Sequence, residues 1–158
     1  SEQIDHDENA VSIHVRRGDY LEPKYWKTTG CVCQLPYYLN AIAEMNKRIS
    51  QPSYYVFSDD IAWVKENLPL PKAFFIDWNK GTESWQDMML MSRCRHHIIC
   101  NSTFSWWGAW LNPRENKTVI MPERWFRHCE TPDICPDRKS TRLNSITLIY
   151  LVCRLLLE

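Results

Sequence analysis

Short apolar runs alternate with longer amphipathic stretches along most of the chain. Val11-Ser-Ile-His-Val15 alternates with period two and predicts a strand. Pro36 opens a predicted helix in which Tyr38, Ile42, Met45 and Ile49 share one face at i, i+4, i+7 and i+11. Gln51-Pro-Ser53 breaks it, and Tyr54-Tyr-Val-Phe57 predicts a buried strand. Asp60 is placed to N-cap a helix over 61–68, which Pro69 and Pro71 stop. Ala73–Ile76 predicts a third strand, closed by the turn-rich Asp77-Trp-Asn-Lys-Gly81. Ser84-x-x-Asp87 has the spacing of a capping box for a helix to about Cys94. His97–Cys100 predicts a fourth strand. Asn101-Ser-Thr103 then leads into a helix whose Trp106, Trp107 and Trp110 are expected to pack it on the sheet. Thr118–Met121 predicts a fifth strand, ended by Pro122.

Strands separated by helices of about ten residues favour parallel βαβ units, an α/β fold with helices on both faces of the sheet. Ligands in such sheets bind at the carboxyl ends of the strands. That rule puts the loops after residues 15, 57, 77 and 100 on one rim. The pattern fails near the end. Arg138-Lys-Ser-Thr-Arg-Leu-Asn-Ser145 precedes an apolar run, Ile146–Leu157, that contains Arg154 and is shorter than the ~20 residues needed to cross a bilayer. The chain is therefore read as one domain over 1–137 and a tail over 138–158, expected to be non-native or disordered. An amphipathic C-terminal helix is the alternative.

Composition narrows the class. A length of 158 residues suits one domain or part of a larger one. Lys+Arg and Asp+Glu are 19 each, which argues against a general nucleic-acid binder with its basic excess. Eight Trp against four Gly imply a large aromatic core, a flat surface for sugars, or both. Seven Cys are irregularly spaced with no CxxC, so neither a zinc site nor a disulfide framework is expected; Cys94 and Cys100 read as buried thiols. Asn101-Ser-Thr103 and Asn116-Lys-Thr118 match the glycosylation sequon. Residues 1–9 are polar and lack a signal peptide, and no Met starts the chain, so the segment is read as starting inside a longer protein.

Three constellations fall on the predicted rim. In His14-Val-Arg-Arg-Gly-Asp-Tyr20, two guanidinium groups suit phosphate oxygens, Gly18 permits close backbone approach, and Asp19 either pairs with an Arg or acts on a hydroxyl. A surface salt-bridge cluster is the plainer reading of that heptapeptide. Asp59 and Asp60 offer carboxylates to a nucleoside, or simply cap a helix. Asn101, Ser102, Thr103 and Ser105 start a helix, where free amides and the helix dipole favour an anion. No Walker A motif or nucleophile elbow is present, and no D-x-D falls on the predicted rim. Together the three suit a nucleoside diphosphate neutralised by Arg and a helix dipole rather than by a metal.

His14–Tyr20, Phe57-Ser-Asp-Asp60, Asp87-Met-Met-Leu-Met-Ser92 and Asn101–Leu111 resemble the motifs of the α-1,2-fucosyltransferases, glycosyltransferase family eleven, over about residues 10–136. The resemblance implies inverting transfer of L-fucose from GDP-β-L-fucose to the 2-hydroxyl of a terminal galactose on an acceptor glycan, with no cofactor or metal required. It implies a Rossmann-like sheet as the C-terminal, donor-binding half of a GT-B-type enzyme whose N-terminal half is not in this chain. Arg16 would hold the β-phosphate and stabilise the leaving GDP, with Arg17 supporting it. His14, Asp59 and Asp60 would contact the nucleoside. Asn101, Ser102, Thr103 and Ser105 would form the phosphate segment, and Asp19 would be the acceptor base. A bacterial cytosolic enzyme, possible membrane association included, fits; a Golgi enzyme would carry its anchor upstream. The alternatives are a non-enzymatic carbohydrate-binding module with exposed Trp, and a related fucosyltransferase with a different acceptor.

Overall fold

The fold is known from a computed structural model that describes residues 2–79 and 81–128, and the backbone of 150–154. A four-residue helical turn, Glu2–Asp5 (α1), precedes the first strand, Ala10–Val15 (β1). After β1 the chain winds through a 3₁₀ turn at Asp19–Leu21, a short helix at Pro23–Tyr25 (α2) and a π turn at Trp26–Gly30. Leu35–Arg48 (α3), Ser53–Ser58 (β2), Ile61–Asn67 (α4), Ala73–Ile76 (β3) and Trp85–Arg93 (α5) follow. The remaining elements are His96–Ile98 (β4), Thr103–Leu111 (α6), Thr118–Pro122 (β5) and Tyr150–Arg154 (β6). The sheet order is β3-β2-β1-β4-β5-β6. Its first five strands run parallel and β6 lies antiparallel to β5. This is the expected α/β, Rossmann-like arrangement. Of the tail expected over 138–158, all but β6 lies outside the described residues.

Period-two alternation sorts the strand side chains onto two faces. Val11, Ile13 and Val15 with Tyr54 and Val56 join Tyr38, Ile42 and Met45 of α3 and Val64 of α4 in one cluster. Tyr55 and Phe57 point the other way, onto Met91 of α5 and Ile76. Val119 and Met121 meet Ala109 of α6 in a third cluster. Both faces are thus covered, as parallel sheets require. The chain leaves β1 for β2 on one side and comes back to β4 on the other. The carboxyl end of β1 is therefore a switch point, where a crevice opens.

Three expectations shift. β4 occupies His96–Ile98 rather than His97–Cys100, because its pairing with β1 runs only from Val11↔His96 to Ile13↔Ile98. The capping box at the start of α5 does not form: Ser84 is helical and makes no side-chain cap bond, while Asp87 accepts from Asn79 Nδ2 at 2.6 Å. The indoles of α6 do not form its main contact with the core. Ser105, Gly108 and Ala109 are the buried face, and a Cβ on Gly108 would stand 2.8 Å from Cβ of Met91. Small residues let α6 approach α5 closely, while Trp106 packs against the Ile99, Val119 and Met121 cluster as expected. Trp107 is 46% exposed, and Trp106 stacks on Trp110 with centroids 4.9 Å apart.

The sheet interior also holds polar groups, and two of them, His97 and Lys117, are well partnered. Fully buried His97 bonds Ser12 Oγ through Nδ1 (2.8 Å) and Asn112 Nδ2 through Nε2 (2.7 Å). Buried Lys117 donates to the carbonyls of Ala109 and Asn112, a cation at the C-terminal end of α6 where the helix dipole favours one.

Candidate active site

A cleft of about 960 Å³ opens at the carboxyl ends of the strands. Each predicted rim loop contributes: His14, Arg16, Asp19 and Tyr20 after β1; Ser58 and Asp59 after β2; Asp77, Asn79 and Asp87 after β3; and Asn101 to Phe104 after β4. That volume falls within the usual range for ligand pockets.

Adjacent residues of the β1 loop do different jobs. Arg16 lines the cleft, with Nε 2.9 Å from Asp19 Oδ1 and 3.4 Å from Asp59 Oδ2. Partial burial works against its charge, but the hydrogen bond to Asp19 and the nearby carboxylates outweigh it and raise the pKa above the ordinary value. Arg17 is not part of the cleft wall. Its guanidinium pairs with Asp60 at 3.1 Å and lies 4.0 Å from the ring centroid of Trp63.

The two aspartates divide in the same way. Asp59 grips the β1 loop, accepting from the amides of Arg17 (2.8 Å) and Gly18 (3.0 Å). A Cβ at position 18 would stand 2.7 Å from Asp59 Oδ2, so this grip requires glycine. Asp60 caps α4 by accepting from Trp63 N at 3.1 Å, and its other oxygen takes Arg17. Both carboxylates expected on a nucleoside thus shape the loop that carries Arg16, Asp59 from within the cleft wall and Asp60 from behind it.

Ser102 is the N-cap of α6 and makes no side-chain cap bond, so no hydroxyl closes the first turn. Ser102, Thr103 and Phe104 line the cleft. Ser105 is buried, with its hydroxyl 3.2 Å from Ser102 O and 3.4 Å from Cys100 O, behind the cleft wall. Asn101 is a hub. Its Nδ2 donates to the carbonyls of Thr29 and Trp125, both at 3.0 Å, and its own carbonyl accepts from Tyr20 at 2.8 Å. At 1% exposure its sequon is shielded in the folded chain. The structure thus brings His14, Arg16, Asp19, Asp59, Asn101, Ser102 and Thr103 together on one wall system. Arg17, Asp60 and Ser105 stand behind it.

The family of the chain is shown by its sequence relatives. The glycosyl transferase family 11 pattern covers residues 2–130. The chain belongs to glycosyl transferase family 11. It is 37% identical over 134 residues to the alpha-1,2-colitosyltransferase of Escherichia coli, an alignment covering 82% of this chain and 46% of that protein. It is 40% identical over 119 residues to the O-antigen biosynthesis glycosyltransferase WbnK of Escherichia coli, covering 75% and 39%. Galactoside alpha-(1,2)-fucosyltransferase 1 of Saimiri boliviensis boliviensis is 35% identical over 105 residues, 64% of this chain and 28% of that protein. The chain thus spans less than half the length of these relatives.

Other residues of this cleft were not assigned to the site from the sequence. Thr29 closes one end, and Trp125 and Phe126 another. The aromatic pair follows β5 as the other loops follow their strands, so extending the strand-end rule one strand further finds it. Asp77, Asn79 and Asp87 form the wall beyond β3; burial raises the Asp87 pKa even though Asn79 donates to it. Among the described residues no helix is long and apolar enough to cross a membrane. No group of three or more His, Cys, Asp or Glu among them is placed to hold a metal ion.

Proposed function

We propose that this chain is the donor-binding part of an inverting α-1,2-fucosyltransferase. It takes GDP-β-L-fucose and passes fucose to the 2-hydroxyl of a terminal galactose. One observation carries the reading: Arg16 and the uncapped start of α6 line the same cleft at the switch point of a parallel sheet. A diphosphate there meets a fixed cation and helix amides. Charge grows on the β-phosphate as its bond to the sugar breaks, so Arg16 binds the transition state better than the ground state. This assigns the phosphate charge to the protein and leaves no step that calls on a metal.

Asp59 holds the β1 loop and Asp60 stands behind the wall, so we assign the nucleobase to the wall beyond β3. Guanine presents adjacent N–H donors, which suit the carboxylates of Asp77 and Asp87. Asp19 keeps Oδ2 free of other partners among the described residues and is the group to accept the proton of the acceptor hydroxyl. Attack on the sugar face opposite the departing phosphate inverts the anomeric centre. Trp125 and Phe126, the latter 39% exposed, offer an apolar face to a sugar ring. A second reading, a colitosyl donor in the same cleft, is favoured by the 37% identity to an alpha-1,2-colitosyltransferase.

Calorimetric titration of the chain with GDP, UDP and ADP tests the nucleotide. GDP should bind well above the others; equal binding or none overturns the reading. Offering fucosyl and colitosyl donors with a galactoside to the full-length enzyme then decides the sugar.

A further inference from the structure

His14 lies on the cleft floor at 7% exposure, its ring tilted against Phe104 with centroids 5.6 Å apart. Nδ1 sits 3.3 Å from Sγ of Cys100, and Nε2 has no hydrogen-bond partner among the described residues. Burial, aided by the Arg16 charge, lowers the His14 pKa to about 3, so the ring is neutral and carries a single N–H. Burial also keeps the Cys100 thiol protonated by pushing its pKa up to about 12. Two hydrogens are therefore available along the line from ring to thiol, and two arrangements compete.

In the first, the S–H donates to Nδ1 and the ring proton sits on Nε2. In the second, Nδ1–H donates to sulfur and the S–H turns to Ser105 Oγ, which is 3.8 Å away. Imidazole nitrogen is a good acceptor and the nearer one, whereas thiol sulfur is a weak acceptor. The second arrangement exchanges one sound bond for two poor ones. We propose that Cys100 is a positioning residue: its S–H donates to His14 Nδ1, which fixes the ring proton on Nε2 and presents a neutral N–H donor to the cleft. Such a donor suits a phosphate or ribose oxygen, and this last step rests on the function proposed above. The tautomer itself does not.

The test is a two-bond proton–nitrogen correlation spectrum of the ¹⁵N-labelled chain, in which the five histidines are few enough to assign. His14 should show a protonated Nε2 and an unprotonated Nδ1 in the wild type. Cys100→Ser, whose hydroxyl donates in the same way, should keep that pattern. Cys100→Ala should lose it, giving a mixture or a protonated Nδ1. Cys100→Val, which fills the space without a donor, serves if the alanine variant is too unstable. GDP affinity should fall about three- to tenfold in Cys100→Ala, the worth of one ordinary hydrogen bond, and return in Cys100→Ser. A protonated Nδ1 in the wild type, or an unchanged tautomer in both Cys100→Ala and Cys100→Val, overturns the proposal. The expected tautomers without any GDP affinity would support the positioning role and overturn the nucleotide reading instead.

Discussion

Replacing Asp59 with alanine distinguishes a residue that shapes the cleft from one that only binds in it. Its carboxylate accepts from the amides of Arg17 and Gly18 at 2.8 and 3.0 Å and stands 3.4 Å from Arg16 Nε. Hydrogen bonds to a charged group contribute about 1.5–3 kcal/mol each when well shielded. The Asp59 side chain is 26% exposed, so about 1 kcal/mol for each amide is the appropriate scale. The partly exposed pair with Arg16 adds at most about 1 kcal/mol. Asp59→Ala should therefore destabilise the fold by about 2–3 kcal/mol. For a chain of this size that is roughly 4–10 °C in Tm, read by differential scanning calorimetry. Asp59→Asn retains one acceptor oxygen and should lose about half as much. A Tm within about 1 °C of wild type, with only nucleotide affinity reduced, would refute the reasoning and return Asp59 to the nucleoside.

Acid should unfold the chain earlier than its carboxylates alone would dictate. Burial lowers His14 to about 3, His96 to about 4 and His97 well below the ordinary value. In the unfolded chain each titrates near 6.5, so stability is full above that pH and falls below it, as only the unfolded state takes up protons. His14 and His97 together should remove about 4 kcal/mol between pH 7 and pH 5; a urea midpoint constant over that range would contradict this. Gly108→Val should destabilise by about 2 kcal/mol or more, since its first carbon would stand 2.8 Å from Met91 Cβ; an unchanged urea midpoint would show that α5 and α6 are not packed this closely.

The sheet and its rim were legible because their signals are local. Short apolar runs marked β1, β2, β3 and β5 to within a residue, and Asp60 caps α4 as its position suggests. The strand-end rule then located four of the five loops of the cleft. The division of labour inside each motif was not legible. Arg16 and Arg17 carry the same chemistry, and only the placement of Trp63 and Asp60 draws Arg17 behind the wall. The grip of Asp59 on the β1 loop was equally hidden, because the amides it holds come from residues about 41 positions earlier. Of the indoles, Trp106 packs on the sheet cluster as expected and Trp107 does not; hydrophobicity alone does not reveal which face of α6 is buried. Gly108 and Ala109, the least conspicuous residues of that helix, mark the contact.

The central claim is that Arg16, and not its neighbour, holds the diphosphate of a bound nucleotide. Calorimetric titration of GDP into wild type, Arg16→Ala and Arg17→Ala tests it most directly, with Tm recorded for each. Arg16→Ala should lower GDP affinity at least about tenfold, since a charge-assisted contact contributes roughly 1.5–3 kcal/mol, with little change in Tm. Arg17→Ala should chiefly lower Tm, because it loses its partners Asp60 and Trp63. Undiminished GDP binding by a folded Arg16→Ala variant would contradict the account.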